Sequence, residues 1–197
     1  IQALRQHIKA EQAALEMSFF QHKTPAQLLK KHAQLIDKFL KKVWLQANIH
    51  KDVALIAVGG YGRGELFPYS DIDLLILLPP QHDDTQNEKI ENLIGKFWDI
   101  GLNVGHSVRT LDECVSEAAE DVTVQTNLLE SRLVAGKLAA YEAFVQAINS
   151  TMQPTQFFAA KFKEQDNRHA KFNDTAYSLE PNIKESPGGL RDLHMIL

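Results

Sequence analysis

Residues 71–78 read Asp-Ile-Asp-Leu-Leu-Ile-Leu-Leu and are followed by Pro79-Pro80, and no other stretch limits the fold as strongly. A short aliphatic run closed by prolines reads as a buried strand. Strand side chains alternate between faces, so Asp71 and Asp73 project to one side while Ile72 and Leu74 turn to the other. Two neighbouring carboxylates repel each other, and without a cation one of them tends to stay protonated. Placing them against so apolar a strand is costly unless they are compensated. A divalent metal removes that cost. Magnesium takes hard oxygen ligands, uses one or two protein carboxylates, and completes its shell with waters and substrate phosphates. The pair therefore points to a magnesium site, with manganese as the alternative ion, and to a phosphate-bearing ligand.

The preceding segment fits that ligand. Asp52 to Val58 is an apolar, β-rich run that stops at Gly59-Gly60, where the backbone can turn sharply and approach a ligand. Such a turn offers N–H groups to phosphate oxygens. Arg63 and Ser70, between the glycines and the aspartates, are candidate hydrogen-bond donors to phosphate. Arg63 could equally pair with Glu65 or Asp71 and orient the loop. Taken singly, an Asp-X-Asp is ordinarily a solvated strand end and a Gly-Gly an ordinary turn. The combination of strand, glycine turn, short connection and acidic second strand is what carries the chemistry.

Around these strands the pattern is helical. Glu11 to Phe20 reads as a helix, and Thr24-Pro25 supplies a cap and a first-turn proline for a long amphipathic helix to about Ala47. Its lysines form a solvated face. Strands are expected at about Val53 to Val58, Ile72 to Leu78 and Leu102 to Arg109, with a loop over Gln81 to Asn87 and a helix from about Glu88 to Ile100. Thr110-Leu111-Asp112-Glu113 has the form of a capping box. Further helices are expected at about Val122 to Val134 closed by Gly136, Leu138 to Asn149, and Pro154 to Lys171. Strands first and helices afterwards define an α+β class.

The string Gly59-Gly60, a spacer and Asp71-Ile72-Asp73 before an apolar strand resembles the DNA polymerase β-like nucleotidyltransferase superfamily. The fuller string from Gly59 to Leu75, with Trp98 to Thr110 and Asp174 to His194, resembles the PII uridylyltransferase family, and these strings span most of the chain from about Val53 onward. The resemblance implies a polymerase β-like fold, a small mixed sheet flanked by helices, with helical segments over 1–50 and 121–197 around a core at 51–120. It implies transfer of UMP from UTP to a tyrosine hydroxyl of the PII signalling protein, with Asp71 and Asp73 as catalytic metal ligands and pyrophosphate as leaving group. The glycine turn, Arg63 and Ser70 would bind the triphosphate, and Lys184 is drawn toward the ligand. Arg168, Lys171, Arg191 and Asn182 are further candidates, unless Ser186-Pro187-Gly188-Gly189 merely starts a helix. Members of the family also carry a phosphohydrolase HD domain and ACT domains, neither of which is expected within these residues. It is expected to be an excised fragment. The superfamily commonly adds a third carboxylate from the neighbouring strand, whereas Leu102 to Arg109 holds no acid, so Asp99, Asp121 and His106 are the alternatives for a general base.

Competing readings are an adenylyltransferase acting on another protein such as glutamine synthetase, a nucleotide-binding regulatory module without turnover, and a fold whose aspartates are simply solvated. A net charge of −4 gives no electrostatic case for binding DNA or RNA. The single cysteine, Cys114, cannot form an internal disulfide and is expected to be buried or inert. No apolar run is long enough for a membrane span and no secretory signal is visible, which makes a cytoplasmic enzyme the expectation.

Overall fold

The apolar spacing of residues 25–47 and the aliphatic run at 72–78 together place the core. In the computed structural model, which describes residues 1–177 and 179–195, helices α1 (Gln2–His22) and α2 (Pro25–Ala47) come first. Lys23 in the left-handed region ends α1, and Pro25 opens α2. Helix α2 buries Leu35, Ile36, Phe39, Leu40 and Val43 along one stripe. Then follow β1 (Ala54–Ala57), a helical turn α3 (Gly59–Gly62), β2 (Ile72–Leu78), α4 (Asp84–Asp99), β3 (Val104–Thr110), α5 (Leu111–Glu120), α6 (Val122–Leu129), β4 (Arg132–Gly136) and α7 (Leu138–Thr151). These elements form one unit, Ile1–Thr151. A second unit, Met152–Leu197, contains α8 (Pro154–Ala170) and α9 (Leu190–His194). No helix among the described residues is long and apolar enough to cross a membrane.

The sheet has the order β3-β2-β1-β4. Strand β1 runs antiparallel to β2 and β4, and β2 runs parallel to β3 through the α4 crossover. Both faces are covered, which is why β2 is aliphatic on both sides. Ile72, Leu74, Ile76 and Leu78 join Leu55, Ala57 and the apolar stripes of α2 and α4 in one core. Leu75 and Leu77 join Ala54, Ile56 and Val58 in a second, closed by Cys114 and Ala118 of α5, Leu128 of α6, and Phe144 and Ile148 of α7. Each such side chain contributes about 1.5–3 kcal/mol by leaving water.

The structure changes three expectations of local structure, the first being that α1 begins at Gln2 rather than near Glu11. Helix α4 begins at Asp84 rather than near Glu88, because the Asp83 carboxylate accepts the Gln86 N–H at 2.8 Å and caps it. The helix expected over Val122 to Val134 stops at Leu129, and residues 132–136 form β4. The apolar spacing there continues in helical register, yet the free edge of β1 needs a partner. Pairing Ala54 with Gly136 and Ala57 with Arg132 satisfies it. The capping box at Thr110 forms, with the Glu113 carboxylate accepting the Thr110 N–H at 2.7 Å.

Candidate active site

Asp71 and Asp73 stand at the entry end of β2. Ile72 and Leu74 are buried in the first core, while Leu75 and Leu77 continue the aspartate face into the second. The Val58 N–H donates to the Asp73 carbonyl at 3.1 Å, so the glycine turn starts level with Asp73. Gly59 has φ +58°, in the left-handed region that glycine enters without strain. A Cβ there would lie 3.2 Å from Asn127 Oδ1 and 4.0 Å from Asp73 Oδ2. Across β3, Asp73 pairs in register with Gly105, where a Cβ would lie 2.9 Å from Asp73 Oδ1. The Asp73 carboxylate thus sits between two positions that carry no side chain. Asp71 Oδ1 accepts a hydrogen bond from the Asn103 amide.

The other sequence candidates fall as follows. The Arg63 guanidinium donates to Glu65 at 3.1 Å and also to Glu130, where α6 ends, so its fork is engaged by carboxylates. Ser70 is exposed, and its N–H bonds the Phe67 carbonyl at 3.1 Å. The loop between glycines and aspartates is pinned by buried Leu66, whose carbonyl meets His32 Nδ1 at 3.1 Å. His106 alternates to the face opposite Gly105 and rests edge-on against Trp98 of α4, ring centroids 5.7 Å apart. Asp121 caps α6, accepting the Thr123 N–H at 2.6 Å, and that bond holds its carboxyl below the usual range. Asp99 is the last residue of α4 and exposed. Among the described residues no group of three or more His, Cys, Asp or Glu side chains is gathered as a metal site would be.

Lys184 lies in the second unit, where its N–H and that of Glu185 donate to Asn182 Oδ1 at 3.1 and 3.0 Å, so the Asn182 amide oxygen closes its own turn. Arg168 and His169 both reach Asp192, at 2.5 and 2.9 Å, and Arg191 meets Glu185 at 3.4 Å. Lys171 follows the last turn of α8.

Several site residues escape the motif reading. Asn127 of α6 borders Gly59, and Glu130 anchors Arg63. Beneath the turn, the Tyr61 hydroxyl donates to Asp37 Oδ1 at 2.5 Å, and Arg132 donates to both Asp37 oxygens at 2.6 and 3.1 Å. Burial raises the Tyr61 phenol above its usual range, and the Asp37 charge adds to that. Burial alone would lower the Arg132 guanidinium, but its bonds to Asp37 outweigh it and hold it up. A signal for Asp37 exists in the sequence, because it falls between Ile36 and Leu40 on the apolar stripe of a helix, and a carboxylate there needs a partner.

Two carboxylates beside glycine-lined space, with amide oxygens as neighbours, form a hard-oxygen donor set suited to magnesium, which needs no more than that from the protein. Residues 35–132 match the model of the nucleotidyltransferase domain, and the mixed sheet carrying Asp71 and Asp73 lies within that match, so this core is a nucleotidyltransferase domain. Residues 156–197 match the model of the GlnD PII-uridylyltransferase. Bifunctional uridylyltransferase/uridylyl-removing enzymes are similar along the whole chain: that of Nitrosospira multiformis is 48% identical over 100% of this chain and 23% of its own length. That of Burkholderia lata is 49% identical over 98% of the chain and 22% of its own. The chain belongs to the PII uridylyltransferase/uridylyl-removing enzyme family and spans less than a quarter of the length of these relatives. Among solved structures, a mutant of the MntA-HpeT toxin-antitoxin overlaps 70% of this chain and 96% of its own, at 17% identity and a TM-score of 0.38.

Proposed function

We propose that this chain carries the transferase half of such an enzyme, moving UMP from UTP to a tyrosine hydroxyl of the PII signalling protein and releasing pyrophosphate. The observation that carries the reading is the pair Asp71 and Asp73 on one strand face, with the glycine turn level with Asp73. Asp71 and Asp73 hold the magnesium or manganese ion, and Asn103 orients Asp71 through its amide. When bound, the ion supplies charge neutralisation and alignment of the triphosphate. The first N–H groups of a helical turn have no carbonyl partner within it, so the Gly59-Gly60 turn binds phosphate oxygens. Gly59 and Gly105 keep the flanks of Asp73 open for that ligand. Arg63, braced by Glu65 and Glu130, fixes the loop that carries the glycine turn toward the triphosphate. Ser70 is a further phosphate donor. His106, turned to the opposite face, takes no part.

The test is the intact mass of purified PII protein after incubation with this chain, magnesium and either UTP or ATP, with Asp71→Asn alongside. A tyrosine-linked UMP adduct that disappears in Asp71→Asn is the expected result. An AMP adduct would reassign the nucleotide. Binding of UTP with magnesium but no adduct would make the chain a regulatory nucleotide module, and an adduct undiminished by Asp71→Asn would remove the aspartate pair from the chemistry.

A further inference from the structure

The turn Gly59-Gly60-Tyr61-Gly62 contains three glycines and a single side chain. Glycine loses more backbone freedom on ordering than any other residue, so a turn of this composition has little local reason to hold one shape. Its one side chain, Tyr61, is 1% exposed. Both polar ends of Tyr61 go to the same pair of residues. The hydroxyl donates to Asp37 at 2.5 Å, and the main-chain carbonyl accepts from Arg132 Nη2 at 3.3 Å. The Arg132 guanidinium also lies over the Tyr61 ring, 5.3 Å from its centroid, and forks onto Asp37. Asp37 is set in α2 between buried Ile36 and Leu40, and Arg132 opens β4, paired with Ala57 at the end of β1. Nearby, the close approach of the Glu130 carbonyl to Gly62 leaves no room for a side chain, since a Cβ there would stand 1.9 Å from it.

We propose that Asp37 and Arg132 are positioning residues for nucleotidyl transfer, gripping Tyr61 so that the glycine turn keeps its N–H groups aimed at the triphosphate. The proposal rests on the function proposed above. An Arg-carboxylate fork fixes direction as well as distance, and a bond to a charged group is stronger than one between neutral groups. Here one fork sets both the ring and the carbonyl of the residue that carries the turn. A small misalignment in such a device is costly to the rate, because about 1 Å of misplacement can lower it about 10²-fold.

Tyr61→Phe keeps the ring under Arg132 and removes only the hydroxyl. On the full chain, with UTP, magnesium and PII protein, the expected result is a fall in kcat on the order of 10-fold or more and a raised KM for UTP, with KM for PII protein unchanged. Asp37→Asn gives the same kinetic signature, and the double variant falls short of the product of the two because both act through one contact. Hydrogen exchange supplies a readout independent of turnover. The Gly62 and Arg63 N–H groups, bonded to the Val58 and Gly59 carbonyls at 3.1 and 3.0 Å, exchange faster in Tyr61→Phe while core amides of β2 do not. A variant that melts earlier but shows wild-type kcat, KM and turn exchange in its folded form overturns the proposal and reduces the network to scaffolding. If the wild type transfers no nucleotide, the function proposed above fails, and the exchange of the turn amides alone decides whether Tyr61 is held as described.

Discussion

Gly105→Ala separates the stability of the fold from the geometry of its site. The added Cβ would stand 2.9 Å from Asp73 Oδ1, whereas ordinary contact begins at 3.4 Å, so the carboxylate must yield by about 0.5 Å. Gly105 is exposed and does not have a positive φ, and its backbone accepts alanine without strain. Replacing such a glycine removes freedom from the unfolded chain and stabilises by about 0.4–1 kcal/mol. For a chain of this size that raises Tm by about 2–4 °C per kcal/mol. The rate moves the other way. Asp73 loses its place by half an ångström where about 1 Å costs about 10²-fold, so kcat falls on the order of 10-fold or more. The assay pairs a thermal melt with initial rates of UMP incorporation into PII protein. Gly95→Ala in α4 is the control, since a Cβ there meets nothing within 4 Å. It adds about 1 kcal/mol of helix stability and leaves the rate alone. Wild-type turnover by a folded Gly105→Ala chain would refute the role given to the Asp73 carboxylate.

Three further outcomes follow from the geometry. His106→Ala leaves turnover within about 2-fold and costs at most about 1 kcal/mol from the lost edge contact with Trp98, so a large fall in kcat at an unchanged melt would return His106 to the site. Burial pushes the Cys114 thiol up to about 12, and a thiol reagent at pH 8 should label it only on unfolding; labelling of the native chain within minutes would contradict that packing. Burial tends to raise the Asp192 carboxyl, but hydrogen bonds from Gln165, the Gly188 N–H, His169 and Arg168 outweigh it and hold it well below the usual range. Its contribution is therefore complete above about pH 4, the unfolded value, and is lost as pH falls through the lower folded one. Urea unfolding at pH 7, 4 and 3 should show wild type losing more stability than Asp192→Asn, and parallel losses would refute the assignment.

Strand β2 is legible to both ends because every determinant lies within it: aspartates open it, an aliphatic run needs two covered faces, and Pro79-Pro80 closes it. The box at Thr110 is legible for the same local reason. Strand β4 is not, since Leu133 continues the helical spacing of Val122 and Leu129 and only the edge of β1, distant in sequence, draws it into the sheet. The site divides along the same line. Asp71, Asp73 and the glycine turn are local and readable, while Asn127, Glu130 and Arg132 reach the turn from α6 and β4 through the fold. In the sequence Leu102 to Arg109 reads only as a strand without an acid, whereas in the sheet its Gly105 is the space beside Asp73.

The aspartates share a strand face with Leu75 and Leu77, and those leucines floor a core. A slip of β2 by one residue would send the carboxylates into the apolar core that Ile72 and Leu74 occupy and would exchange the side chains packed in the two cores, a loss no local adjustment could repair. Correct strand pairing and a usable metal site are thus a single event. Folding proofreads this site, and a preparation's specific activity counts the molecules whose sheet is in register.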